Sequence, residues 1–254
     1  MRFFSLAAVA IVAAILPSNS QLPAASRSAR KARLFKHHGT SVWSCGSPEV
    51  QAFVYQSGMA IDADGAYRAY HPKSRLGLDS IEHAGSPGRW WALATDTGEP
   101  DGRPVIQGKN DPAPGYYVSM TSLFDSSIAD ERNPRRFVDA ATIPYVVLPP
   151  EGLKHAKLGD FATVVNLENG EVAGGIVADE SAPELPMGEG SIALAEMLGI
   201  DSDARTGGIA RGVAWVIYPG SGNGEPRHAA EIARVAQVNF ERWGGLLKLH
   251  GCLR

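Results

Sequence analysis

The stretch from Ile176 to Ser191 reads IVADESAPELPMGEGS. An apolar, strand-like run ends in Asp179. A proline-containing loop follows, and Glu189 stands between two glycines just ahead of a helix-like segment. Two carboxylates on either side of a short loop can face each other across a substrate. Cleavage of a glycosidic bond needs that pair: one protonated carboxyl to protonate the leaving oxygen and one ionised carboxylate to assist the attack. Glu180 and Glu184 lie in the same segment, so an acidic solvent loop reads the same way.

Asp62, Asp64 and Asp79 form a second acidic group. The DADG run at 62–65 begins like a calcium loop, but its glycine comes too early and the downstream ligands are missing. Acidic side chains at a turn can instead hold ammonium groups, while Asp-Gly simply permits the bend; the two roles are compatible. Aromatic residues come in pairs: Trp90 with Trp91, Tyr116 with Tyr117, Tyr67 with Tyr70. Flat aromatic faces pack on sugar rings and attract cations. Adjacent strand residues point to opposite faces, so one member of each pair belongs in the core, leaving Trp91 and Tyr117 as the expected binding partners of a sugar. Asp111, Asp125 and Asp160 are further carboxylates, and Asp160 after Gly159 reads as a turn residue. The glycine-rich run at 220–224 lacks the lysine of a phosphate loop. No G-x-S-x-G elbow occurs, and the histidines show no metal spacing; neither metal nor cofactor is expected.

The elements that must place these residues are mostly short strands. Met59–His71 reads as a hairpin around Asp64-Gly65, and Phe161–Leu167 with Val172–Ala178 as a hairpin around Asn169-Gly170. Tyr116–Phe124, Ile143–Leu148 and Gly212–Tyr218 read as further strands. Ser191 is a helix N-cap for a segment ending at Leu198 before Gly199. Glu225–Leu247 carries Ile232, Val235, Ala236 and Phe240 on one stripe and reads as a single long helix. This balance implies a mainly β fold: a closed or nearly closed barrel with flanking helices and a C-terminal helix.

Of 254 residues, 44% are hydrophobic and 20% charged, which is enough apolar material for one large domain. Arg2 followed by the apolar run from Phe3 to Leu16 and then small residues has the layout of a secretory signal over residues 1–25. The run is shorter than the ~20 residues a membrane span requires. Residues 26–40 contain RSARKARLFKHH, read as a basic disordered arm or propeptide, and 41–254 as a single catalytic domain. Two cysteines, Cys45 and Cys252, permit one disulfide in an exported protein, which would tie the start of the folded domain to its end; two unrelated thiols are the alternative. The formal net charge of −3 disfavours nucleic acid and suits a cationic substrate. A secreted monomer without a membrane partner is the expectation.

Several segments taken in order carry a family likeness: IDADG at 61–65, AYHP at 69–72, GLD at 77–79, WW at 90–91, DPAPGYYVSMTSLFD at 111–125, IPYVVLP at 143–149, LGDFATVVN at 158–166, GEGSIALAEMLGI at 188–200 and YPGSG at 218–222. Together they resemble the fungal-type chitosanases of glycoside hydrolase family 75. The resemblance implies a six-stranded barrel of the double-psi type. It also implies an endo-acting hydrolase that cuts β-1,4-linked glucosamine in chitosan with inversion, using an Asp and a Glu. Carried onto this chain these are Asp179 and Glu189, with Glu189 as acid and Asp179 as base, or the reverse. Where the family has a small residue and Gly-Pro after the Asp, this chain has Glu180-Ser181-Ala182-Pro183-Glu184. Two other readings fit the same residues: a non-catalytic glycan-binding protein on this scaffold, and a hydrolase of another wall polymer such as peptidoglycan.

Overall fold

The computed structural model describes residues 31–254. The expected signal over 1–25, and the start of the basic arm, lie outside them. Among the described residues ten strands run in chain order: β1 (Ala32–His37), β2 (Thr40–Ser44), β3 (Phe53–Asp62), β4 (Gly85–Ser86), β5 (Arg89–Trp90), β6 (Tyr145–Leu148), β7 (Phe161–Asn166), β8 (Val172–Glu180), β9 (Glu189–Ser191) and β10 (Ile209–Ile217). The helices are α1 (Pro150–Leu153), α2 (Ile192–Met197), α3 (Ala229–Trp243) and α4 (Gly245–Leu253).

Six of the strands close a barrel in the order β3-β10-β7-β8-β6-β9, and β9 returns to β3. The β3–β9 and β6–β8 pairs are parallel and the other four antiparallel. The mainly β, closed six-stranded barrel expected from the sequence is present. Its strands form because β-branched and aromatic residues fill both faces: FATVVN of β7 and YVVL of β6 are buried throughout. Tyr145, Ile176, Leu194 and the stacked pair Tyr55 and Trp215 are all essentially inaccessible to solvent. The amphipathic α3 lies across β7 and β8, burying Ile232, Ala236, Phe240 and Trp243.

Several local readings differ in the structure. Only β3 forms from the hairpin expected at Met59–His71: it ends at Asp62, and the chain leaves the sheet through a turn in which Gly65 has a φ of 75°. Tyr116–Phe124 makes only isolated bridges, Ile106 to Tyr117, Leu93 to Ser119 and Phe124 to Phe137. The single C-terminal helix is two, since Gly244 adopts a φ of 123° and ends α3 before α4 begins. Ala32–His37, inside the segment expected to be a disordered arm, forms β1 against β2, with Phe35 buried and stacked on His155. The two cysteines are joined: Cys45 after β2 and Cys252 in α4 form a disulfide with Cα atoms 6.1 Å apart. Among the described residues no helix is long and apolar enough to cross a membrane.

Candidate active site

Strand register brings Asp179 and Glu189 together. On β6, Val147 stands opposite Glu189 of β9 on one side and Asp179 of β8 on the other. Residues directly opposite in a sheet project from the same face, so both carboxylates stand on one side of the barrel wall. Two inter-strand steps of about 4.8 Å put their backbones roughly 10 Å apart.

The placement of Asp179 depends on a bulge. Val177 is paired with Val146, but the next pairing is Asp179 with Val147, which leaves Ala178 as an extra residue on β8. Such an insertion re-aims the side chain that follows it. Regular pairing would have put Ala178 opposite Val147 and Asp179 on the other face. The carbonyl of the extra residue is taken by the Leu123 N–H at 2.8 Å. The neighbouring Ser122 then gives Asp179 Oδ1 two bonds, from its N–H at 3.0 Å and its hydroxyl at 2.6 Å, and the Glu180 N–H adds a third at 2.8 Å.

The glycines around Glu189 follow from where β9 runs. It is wedged between β3 and β6, pairing with Ala60 and Val147. A Cβ on Gly188, whose φ is 105°, would stand 2.2 Å from Ser57 Oγ; one on Gly190 would stand 2.8 Å from a Leu194 methyl and 3.0 Å from the Tyr145 carbonyl. Ser191 then closes the strand and starts α2: its hydroxyl caps Leu194 N–H, accepts from Tyr145 N–H and donates to the Ile143 carbonyl.

Asp62 lies two residues beyond Ala60 on β3, on the same face as Glu189. Oxygens of Asp62, Asp64 and Asp179 fit within 4.8 Å of one another. That spacing could hold a hard cation, yet donors of the protein already take the same lone pairs. Asp64 accepts from the Tyr70 hydroxyl at 2.7 Å and the Ser119 hydroxyl at 3.4 Å, Asp62 from the Asp64 N–H at 2.8 Å, and Asp179 from the three donors above. The Tyr145 hydroxyl donates to the Asp64 backbone carbonyl. Asp79 is buried, accepts from Ser80 N–H, and lies 2.9 Å from the His83 imidazole. Its segment is held by Arg205, whose guanidinium donates to the carbonyls of Ser74, Gly77 and Asp79 and to the Ser80 hydroxyl.

Crowding and burial act on protonation. Burial, reinforced by the charges of Asp62, Asp179 and Asp79, pushes Glu189 up to about 8. Asp179 rises to about 7 through burial and the charge of Asp62, while the Ser122 and Glu180 donors favour its ionised form. Burial raises Asp62 to about 6 and takes Asp64 well above the ordinary carboxylate range. Among the described residues no donor bonds the Glu189 carboxyl, which keeps its proton to higher pH than Asp179; Asp179 is the one equipped to be the anion.

All five carboxylates line one cleft of about 1400 Å³. Ten Asp and Glu side chains border it against three Arg. Trp91 also lines it, 58% exposed, with its ring fixed by an indole N–H bond of 2.9 Å to the His83 carbonyl. Its neighbour Trp90 is half-buried and packs on the core. Tyr117 does not border the cleft; it packs half-buried against the core, its N–H bonded to the Tyr70 carbonyl. Asp160 lies elsewhere and organises a turn, accepting from the N–H groups of Lys157, Gly220 and Gly222. Sequence reasoning missed Ser122, Tyr145 and Arg205. Ser122 sat inside a segment read only as a strand, and no local pattern marks an arginine that bonds to backbone more than a hundred residues away.

A family model described as fungal chitosanase of glycosyl hydrolase group 75 matches residues 111–245, more than half of the chain. No curated protein matches the chain.

Proposed function

The chain belongs to the fungal chitosanases of glycosyl hydrolase group 75, a family of glycoside hydrolases, and from that premise we propose that it is a secreted, monomeric endo-chitosanase. It would cut β-1,4 links between glucosamine units with inversion. Glu189 protonates the leaving glycosidic oxygen, and Asp179 accepts a proton from the water that attacks the opposite face of the sugar. Asp62, Asp64 and Asp79 hold ammonium groups of the substrate, and Trp91 packs on a sugar ring.

One observation carries this reading: Asp179 and Glu189 stand on the same face with a single strand between them. An inverting pair needs about 6.5–9.5 Å between carboxyl groups to admit a water. The protonation order supports the roles, and the excess of carboxylates along the cleft favours an amine-bearing polymer over a neutral one.

The experiment measures reducing-end release from chitosan, chitin and peptidoglycan by the wild type, Asp179→Asn and Glu189→Gln. Chitosan should be cleaved fastest, and each variant should lose about 10²–10⁴-fold while remaining folded. Variants that keep most of the wild-type rate would overturn the assignment. Faster cleavage of peptidoglycan would move the substrate to another wall polymer. Binding of chitosan with no product would leave a glycan-binding protein on this scaffold.

A further inference from the structure

The loop between the two catalytic carboxylates is held from outside the barrel. Residues 181–188 join β8 to β9, and Ser181 through Leu185 form one wall of the cleft. Pro183 and Pro186 have no N–H to bond. At the two ends, Ser181 N–H donates to the Leu148 carbonyl and the Gly188 carbonyl accepts from Ala60 N–H. In the middle, Leu185 N–H reaches the Ala182 carbonyl at 3.0 Å. The carbonyls of Pro183 and Leu185 are met by histidines from the β1–β2 turn: His37 Nε2 lies 2.8 Å from the Leu185 oxygen and His38 Nε2 lies 3.0 Å from the Pro183 oxygen. A carbonyl only accepts, so each imidazole donates from Nε2–H, as a neutral ring or as imidazolium.

The turn that carries them is built for reach at a steric cost. His37 pairs with Thr40 across a two-residue connection, with His38 at φ 41° and Gly39 at φ 91°. Left-handed positions in such hairpins are the usual place of Asn, Asp and Gly. His38 is the one non-glycine residue with positive φ among the described residues. The two rings meet edge to face, 4.6 Å between centroids, so each fixes the other's direction.

We propose that His37 and His38 are positioning residues that hold the 181–185 wall of the substrate cleft, and that the β1–β2 hairpin is part of the binding apparatus. The proposal deepens the hydrolase reading and rests on it. The effect falls on binding: Asp179 and Glu189 are fixed by strand pairing, whereas the wall depends on the two imidazole bonds.

The test uses the full chain with His37→Ala/His38→Ala, His37→Gln/His38→Gln and His38→Asn. Glutamine keeps an N–H donor near the Nε2 position. Asparagine suits the left-handed turn but is too short to reach Pro183. Two readouts are taken: backbone hydrogen exchange across 181–188, and kcat and KM on soluble chitosan. The alanine pair should exchange faster in the loop and raise KM roughly tenfold, with kcat within about twofold. The glutamine pair should restore both, and His38→Asn should show a partial version of the alanine defect. Unchanged loop exchange in the folded alanine pair overturns the proposal. So does an unchanged KM, or an Asn variant equal to wild type, which would reduce His38 to a turn former. The exchange readout needs no substrate: a wild type that cuts no polysaccharide would overturn the hydrolase reading by itself, while loop exchange still decides the brace.

Discussion

Asp179 and Glu189 stand on one face of the barrel wall with only β6 between them, each directly opposite Val147. Distance and facing are thus set by backbone pairing, and their protonation by what surrounds each tip. Asp179 Oδ1 takes three donors, while burial and like charge leave Glu189 protonated.

Ser122→Ala should therefore act on Asp179, the proposed base, alone. It removes the hydroxyl bond of 2.6 Å and leaves the Ser122 N–H bond in place. A donor to a carboxylate favours its ionised form, so its loss raises Asp179 above about 7. The acidic limb of the kcat/KM profile should move to higher pH by on the order of one unit. A profile that does not move would remove Asp179 from the role of base.

The carboxylate cluster sets a pH dependence of stability. Asp62, Asp179 and Glu189 bind protons more tightly folded than unfolded, at about 6, 7 and 8. Their stabilising contribution is complete below the unfolded values of about 4 and disappears as pH rises through the folded ones. Asp96, Asp125 and Asp130, whose carboxyls are held below the ordinary range, act in the opposite sense only at still lower pH. Calorimetry should find Tm falling between pH 5 and pH 8.5. Asp62→Asn and Glu189→Gln should flatten that fall and raise Tm at pH 8.5. A wild-type Tm constant over this range would mean the cluster ionises as freely as in water.

Trp91 and Tyr117 should separate by kinetics. Trp91 is exposed in the cleft with its ring held by His83, and Trp91→Ala should raise KM on chitosan roughly tenfold. Tyr117→Ala should lower Tm and leave KM unchanged, since that ring packs on the core. Equal KM effects from both would place Tyr117 in contact with substrate.

The Cys45–Cys252 bond closes a separation of 207 residues. In the chain-entropy model, opening so long a loop costs about 5 kcal/mol. Cys45→Ser/Cys252→Ser should lower Tm by roughly 10–20 °C. Neither cysteine borders the cleft, so kcat/KM at 25 °C should stay at the wild-type value. A loss of activity at that temperature in a folded variant would tie α4 to the site.

The sequence made the barrel's strands legible where β-branched runs were flanked by turn residues, as at Asn169-Gly170 between β7 and β8. The Ser191 cap was readable too, because its chemistry is local. Around Asp64-Gly65 the same local signal misled: the turn forms, but the Ser119 hydroxyl takes the Gly65 N–H as the chain leaves the sheet, and that partner lies 54 residues away. The paired aromatics hid their environments for the same reason: nothing local says that Trp91 borders the cleft while Tyr117 packs on the core. The extra residue at Ala178 could not be counted from one strand, because register belongs to two.

That extra residue makes the chemistry a matter of parity. Strand β8 must deliver an apolar side chain inward at Val177 and a carboxylate outward at Asp179, which an alternating strand cannot do without gaining a unit. Removing Ala178 would leave every side chain of the proposed site in the protein and still turn Asp179 toward the hydrophobic interior. At this point the length of the chain is as much a part of the proposed site as the carboxylate it carries.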